Sequence, residues 1–226
     1  MPVRLLNLQE AADSFQLDPG ELRRLAVCGE IPCIEQGTRL LFDYEELDTW
    51  FTTRMLRRQL KRPPKSEEVA LSSYCRLETM EPALAGKTRA AILKNLAALA
   101  ERSGLLYDPA EFLEELRKRE DAASTAMPEG IALVHPQRRD EYTCEAPFVA
   151  IARAAQPSFF GEPDGGLTDL FFVVCSPDSK EHLALLAHIC TLIATTPLLE
   201  RLRAAETAEE MLAAVHECAP APQEAQ

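Results

Sequence analysis

Three short apolar runs constrain this chain most: GIALVH at 130–135, PFVAIARA at 147–154 and TDLFFVV at 168–174. The two later runs are apolar on successive positions, a pattern that suits strands covered on both faces. Capped helices surround them. Asp108 with Glu111, Asp178 with Glu181 and Thr207 with Glu210 each set a side-chain acceptor three residues before a glutamate, ahead of apolar residues at helical spacing. The apolar faces that follow are Phe112, Leu113 and Leu116; Leu186, Ile189 and Ile193; and Met211, Leu212 and Val215. An earlier helix, about 88–103, shows Ile92, Leu96 and Leu99 and exits at Gly104. Strands and helices in this alternation predict an α/β fold, a mixed sheet with helices on both faces.

Charge divides the chain. Residues 1–65 hold 10 Lys+Arg and 10 Asp+Glu, whereas residues 66–226 hold 14 and 26, so the whole net charge of −12 belongs to the C-terminal part. An acidic surface repels phosphate backbones, which leaves any nucleic-acid contact to the neutral N-terminal part and its basic tail, 54–65. Pro63 and Pro64 stop a helix and push the residues before them out of the α region. The expected organisation is an N-terminal domain at 1–60, a linker at 61–68, a C-terminal domain at 69–218 and a disordered tail at 219–226.

In the N-terminal segment, Leu5, Leu8, Ala11, Ala12 and Phe15 recur at helical spacing. Asp18, Pro19 and Glu21 then start a second helix, about 19–28, that stops at Gly29. IPCIEQGTRLLF has apolar and β-branched residues on both sides of Gln36-Gly37, a hairpin signal, and Asp43 with Glu46 opens a closing helix bearing Leu47, Trp50 and Phe51. LNLQEAADSF, LDPGELRRLAVCGEIP and GTRLLFDYEELDTWF together resemble the excisionase and MerR-like winged helix-turn-helix family over about 50 residues. That resemblance implies a recognition helix in the major groove, with Arg23, Arg24 and Arg39 contacting phosphates or bases and DNA as a partner. Asp18, Glu21, Glu30 and Glu35 place negative charge on the same helix and wing, so a protein-interaction module stands as the alternative. The basic segment 52–62, with Met55, Leu56 and Leu60, offers a short stripe for a homodimer.

In the C-terminal part the chemistry concentrates on His135, Arg119 and His182. Pro136 ends the strand GIALVH, which puts His135 at a strand end. Arg119 closes the helix that Asp108 begins. With Asp178 as cap, His182 falls at the fourth helical position, near a positive helix end that favours the neutral ring. The stretch from KTRAAILKNLAALAERSGLLYDPAEFLEELRKREDAASTAMPEGIALVHP through FFGEPDGGLTDLFFVVCSPDSKEHLALLAHIC resembles the enzyme IIA domain of the fructose, mannitol and nitrogen-regulatory phosphotransferase systems. The resemblance implies that His135 accepts a phosphoryl group from an HPr-like phosphocarrier, that Arg119 is the electrostatic clamp and that His182 is the second active-site histidine. It implies no metal and no organic cofactor. A separate IIB component is a further partner, and the chain is a phosphohistidine carrier rather than a turnover enzyme for small molecules. Val134 stands where the family usually has proline, and Pro136 where a small residue is usual.

Three functions therefore compete: a regulator in which phosphorylation of His135 alters DNA binding, a soluble phosphocarrier to IIB, and an interaction scaffold without transfer. The seven cysteines, Cys28, Cys33, Cys75, Cys144, Cys175, Cys190 and Cys218, form no CxxC pair, which disfavours a zinc site and a disulfide framework. The apolar runs are too short or too interrupted for a membrane span, and Asn7, Gln9 and Glu10 occupy the place of a signal peptide's apolar core. The expected location is the cytoplasm. The phosphotransfer reading requires the uncharged imidazole of His135 to be presented to an incoming phosphorylated protein.

Overall fold

The computed structural model describes residues 5–15, 17–37, 39–44, 46–51, 70–138, 142–161 and 165–219. The expected linker at 61–68, the basic segment 52–62 and all of the tail beyond Ala219 lie outside the described residues. The chain forms two compact units, residues 1–55 and 56–226.

In the first unit, β1 (Leu5–Asn7) leads into α1 (Leu8–Phe15), and α2 (Pro19–Val27) follows a tight connection. Helical spacing places Leu5 on the first helix, but the residue is in a strand, 44% exposed and paired with Asp43. The reason is a cap. Asn7 Oδ1 accepts from the backbone N–H groups of Gln9 and Glu10, and Glu10 Oε2 accepts from Asn7 N, so the helix starts after Asn7. Asp18 Oδ1 caps α2 by accepting from Glu21 N at 2.8 Å, and Gly29 at φ 68° takes the left-handed exit. The hairpin pairs β2 (Ile34–Gln36) with β3 (Arg39–Asp43), Gly37 turning at φ 64°, and β3 lies between β1 and β2. A third helix, α3, covers residues 46–51. Its Trp50 indole donates to Glu30 O at 2.6 Å, while Phe15 packs against Tyr44 and Phe51. Ala11, Leu22, Phe42 and Leu47 fill the small core.

The second unit is built on a five-stranded sheet. Its strands are β4 (Cys75–Leu84), β5 (Ala126–Met127), β6 (Ile131–Val134), β7 (Phe148–Ser158) and β8 (Thr168–Cys175), ordered β4-β7-β8-β6-β5. The β4–β7 and β6–β8 pairs are parallel; β7–β8 and β5–β6 are antiparallel. This is the expected mixed sheet. β6 is buried at every position, and from Leu170 to Cys175 β8 is too, as the unbroken apolar runs require when helices cover both faces. One face packs Ala132, Val134, Phe148, Phe171 and Val173 against α4 (Arg89–Glu101) and α5 (Pro109–Ala122). Each enclosed Phe or Val side chain contributes about 1.5–3 kcal/mol by leaving water. The remaining helices are α6 (Ser179–Thr195), α7 (Leu198–Ala204) and α8 (Ala208–Cys218). Among the described residues no single helix is long and apolar enough to cross a membrane.

Candidate active site

The site grows from three chain ends that the sheet brings together: the end of β6, the last turn of α5 and the first turns of α6. Asp108 Oδ1 starts α5 by accepting from Ala110 and Glu111 backbone N–H groups at 2.9 and 3.0 Å. Inward positions of α5 then run Phe112, Glu115, Leu116, Arg119 and Glu120, the spacing of one buried helical stripe. Arg119 is therefore 1% exposed although it sits in the charged run LRKRED.

His135 is the first residue past β6. Pro136 offers no N–H to extend the ladder, and the chain after it is pinned to α5. Gln137 N donates to Glu115 O at 3.2 Å, and Arg138 N donates to Glu115 Oε2 at 3.0 Å. The imidazole lies 2.8 Å by Nδ1 from Leu133 O, and its Nε2 is 2.9 Å from Arg119 Nε. A guanidinium only donates, so Nε2 is the acceptor in that bond. In the neutral ring the proton then belongs to Nδ1, which donates it to Leu133 O. Arg119 Nη1 also donates to Ala123 O at 2.6 Å, which fixes the plane of the guanidinium.

His182 reaches the same place from α6. Asp178 Oδ1 caps that helix by accepting from Glu181 N at 2.7 Å, and His182 follows one turn in, its ring centroid 5.2 Å from that of His135 at 61°. All three C-terminal site residues expected from sequence thus converge. Arg23 and Arg24 on α2 and Arg39 on β3 are exposed, and Arg24 lies 3.9 Å from Glu30.

The presentation of the ring differs from expectation. His135 and His182 are both 0% exposed. The His135 ring is enclosed at the buried end of β6, the strand beside central β8, with Arg119 drawn onto its lone pair and His182 edge-on to it. Attack from Nε2 therefore needs Arg119 to leave that nitrogen and the surround to open.

Two supporting residues escaped the sequence reading. Glu120, 2% exposed, accepts from Thr125 N at 3.0 Å and from the Thr125 hydroxyl, holding the loop behind Arg119. Burial pushes its carboxyl above the ordinary range, against the opposing effect of bonds from Thr125 and Ser124 and the charge of Arg119. Gly161, at φ 125°, passes so close to Ser124 that a Cβ there would lie 2.6 Å from its Oγ. The α5 stripe could have revealed Glu120; nothing local signals the Gly161 approach. Among the described residues no three His, Cys, Asp or Glu side chains converge as metal ligands would.

Residues 73–218 match a protein family described as the phosphoenolpyruvate-dependent sugar phosphotransferase system, EIIA 2. The nitrogen regulatory protein of Pseudomonas aeruginosa is 32% identical over 128 residues, 56% of this chain and 81% of that one. The solved nitrogen regulatory protein IIA-Ntr of Neisseria meningitidis superposes with a TM-score of 0.57 at 24% identity, covering 65% of this chain and 99% of that one. A complex of enzyme IIA mannitol with phosphorylated enzyme IIB mannitol from Escherichia coli gives a TM-score of 0.54 at 18% identity, over 63% of this chain and 97% of that one. At these identities the two structures speak for the fold.

Proposed function

Because the chain belongs to the EIIA 2 family of the phosphoenolpyruvate-dependent sugar phosphotransferase system, we propose that His135 accepts a phosphoryl group from an HPr-like phosphocarrier and that this modification regulates the N-terminal unit. The observation that carries the reading is the polarity of the His135 ring. Nδ1–H is donated to Leu133 O, so the lone pair of Nε2 is the nucleophile, and it points at the one group that must later meet a phosphoryl oxygen, Arg119. In the transfer, Nε2 forms a bond to phosphorus as the donor's N–P bond breaks, in line, and the donor imidazole leaves with the electron pair of that bond. Arg119 turns from Nε2 to the equatorial oxygens, and His182, 5.2 Å away by ring centroid, supplies a second polar edge. The departing imidazole is a good leaving group, so positioning supplies most of the rate.

The N-terminal unit enters as a winged helix-turn-helix module, with α2 as the recognition helix and the β2–β3 hairpin as the wing. The exposed Arg23, Arg24 and Arg39 support a DNA contact. Phosphohistidine adds charge to an already acidic part of the chain and biases DNA binding or partner choice. Onward transfer to a IIB protein is the counterpart suggested by the mannitol complex.

A second reading, a scaffold that transfers nothing, is favoured by one observation: the enclosure of His135. One experiment separates the two. The protein is incubated with labelled phosphoenolpyruvate, enzyme I and HPr, beside His135→Ala and Arg119→Gln. Label on the wild type, none on His135→Ala and a rate reduced by roughly 10²–10³ in Arg119→Gln is the expected outcome. Label that survives in His135→Ala removes that residue from the role, and an unlabelled wild type establishes the scaffold.

A further inference from the structure

Cys144 and Cys175 are buried, and their sulfurs are 3.3 Å apart, Cys175 Sγ donating to Cys144 Sγ. A disulfide needs about 2.05 Å, so an approach of about 1.2 Å closes the bond. Each sulfur stands on a segment leading to or from the site. Cys144 lies on the connection that leaves His135 and bridges to Leu106, Tyr107 N donating to Thr143 O at 3.4 Å and Glu145 N to Leu105 O at 2.9 Å. Cys175 closes β8 just before Asp178, the cap of the helix that carries His182. Cys144 is 1% exposed and stands between Thr143, which is half-buried, and Glu145, which is exposed.

We propose that Cys144 and Cys175 are an oxidisable dithiol, which a hydroperoxide converts to a disulfide that ties the connection after His135 to the strand entering α6. Cys144 is the attacking sulfur. The bond from Cys175 pulls its thiol below the ordinary value, against burial and the charge of Glu181, whereas burial pushes the thiols of Cys75 and Cys190 up to about 12. The Cys144 thiolate displaces one oxygen of the peroxide: an S–O bond forms, the O–O bond breaks, and hydroxide leaves to become water. The Cys175 sulfur then attacks the Cys144 sulfenic acid. An S–S bond forms, the S–O bond breaks, and the released hydroxide takes the Cys175 proton. Two thiols and one hydrogen peroxide give one disulfide and two waters. Hydrogen peroxide is small and uncharged, and local opening of the 142–147 connection admits it.

With the segments around both histidines cross-linked, the enclosed site cannot open, so the oxidised protein takes up no phosphoryl group. That consequence rests on the role proposed for His135; the disulfide does not. The test uses the full chain with Cys28→Ser, Cys33→Ser and Cys218→Ser, which keeps the pair and removes the more exposed thiols. After hydrogen peroxide treatment, non-reducing digestion and mass spectrometry are expected to show a Cys144 peptide joined to a Cys175 peptide, absent after reduction with dithiothreitol. Both cysteines still open to alkylation after denaturation, or each separately oxidised to sulfinic acid, would falsify the dithiol. In the transfer assay, oxidation is expected to lower label on His135 at least tenfold, with recovery on reduction and no effect of peroxide in Cys144→Ala. A joined peptide with undiminished label overturns the clamp. Absence of label even in the reduced protein sinks the phosphotransfer reading instead, and the joined peptide still decides the dithiol.

Discussion

A carboxylate enclosed beside a guanidinium has to exchange hydration for hydrogen bonds, and Glu120 does so through Thr125 and Ser124. Burial wins the balance and raises its carboxyl, so the protonated form is favoured in the fold relative to the unfolded chain. Stability from this group is therefore full below the ordinary glutamate range, about 4.3, and is lost as pH rises through the higher folded value. Urea unfolding of wild type and Glu120→Gln between pH 4 and 8 is expected to show the wild type losing ground to the variant as pH rises. A constant difference across that range would refute the linkage. Glu120 and Arg119 were also legible in principle. Charge in LRKRED suggests a solvated face, but spacing from Phe112 through Leu116 puts both residues on the inner stripe, and spacing outranks charge once a helix has a buried face.

Helix starts were the most legible elements, because a cap is made between neighbours in sequence. Asp18, Asp108, Asp178 and Thr207 each cap the helix that their sequence announces. For α6 the cap also sets where His182 stands. Asp178→Ala is expected to lower stability by about 1 kcal/mol, read as a fall in unfolding temperature, while Asp178→Asn largely restores it. Equal losses in both variants would show that the cap bond to Glu181 N is not what the residue contributes. Strand β4 was not legible. Its sequence, CRLETMEPAL, contains Pro82, and its register with β7 shifts twice, so neither alternation nor an apolar run marks it. α7 was missed for a related reason: Pro197 precedes it without a side-chain cap.

At the scale of the whole molecule, the division of charge sets the terms for any DNA contact. The part after residue 65 carries the full net charge of −12, so binding must be carried by the N-terminal unit against that background. Replacing Arg23, Arg24 and Arg39 with Gln is expected to flatten the slope of log affinity against log salt by about 0.9 for each phosphate the protein no longer neutralises, measured by fluorescence anisotropy on duplex DNA. An unchanged slope would assign those arginines to another partner, Arg24 already lying 3.9 Å from Glu30. The amino-acid sequence by itself determined the α/β class of the C-terminal unit and the caps of its helices, because caps, periodicity and strand ends are properties of neighbouring residues; His135, Arg119 and His182 stood out together only through the resemblance to the IIA domain. Only the tertiary structure decided that His135 is enclosed, that its Nε2 faces Arg119, that Gly161 abuts Ser124 and that two cysteines far apart in the chain touch. Each of those facts depends on which strands lie side by side, and strand order is set by burial summed over the whole sheet rather than by any local pattern.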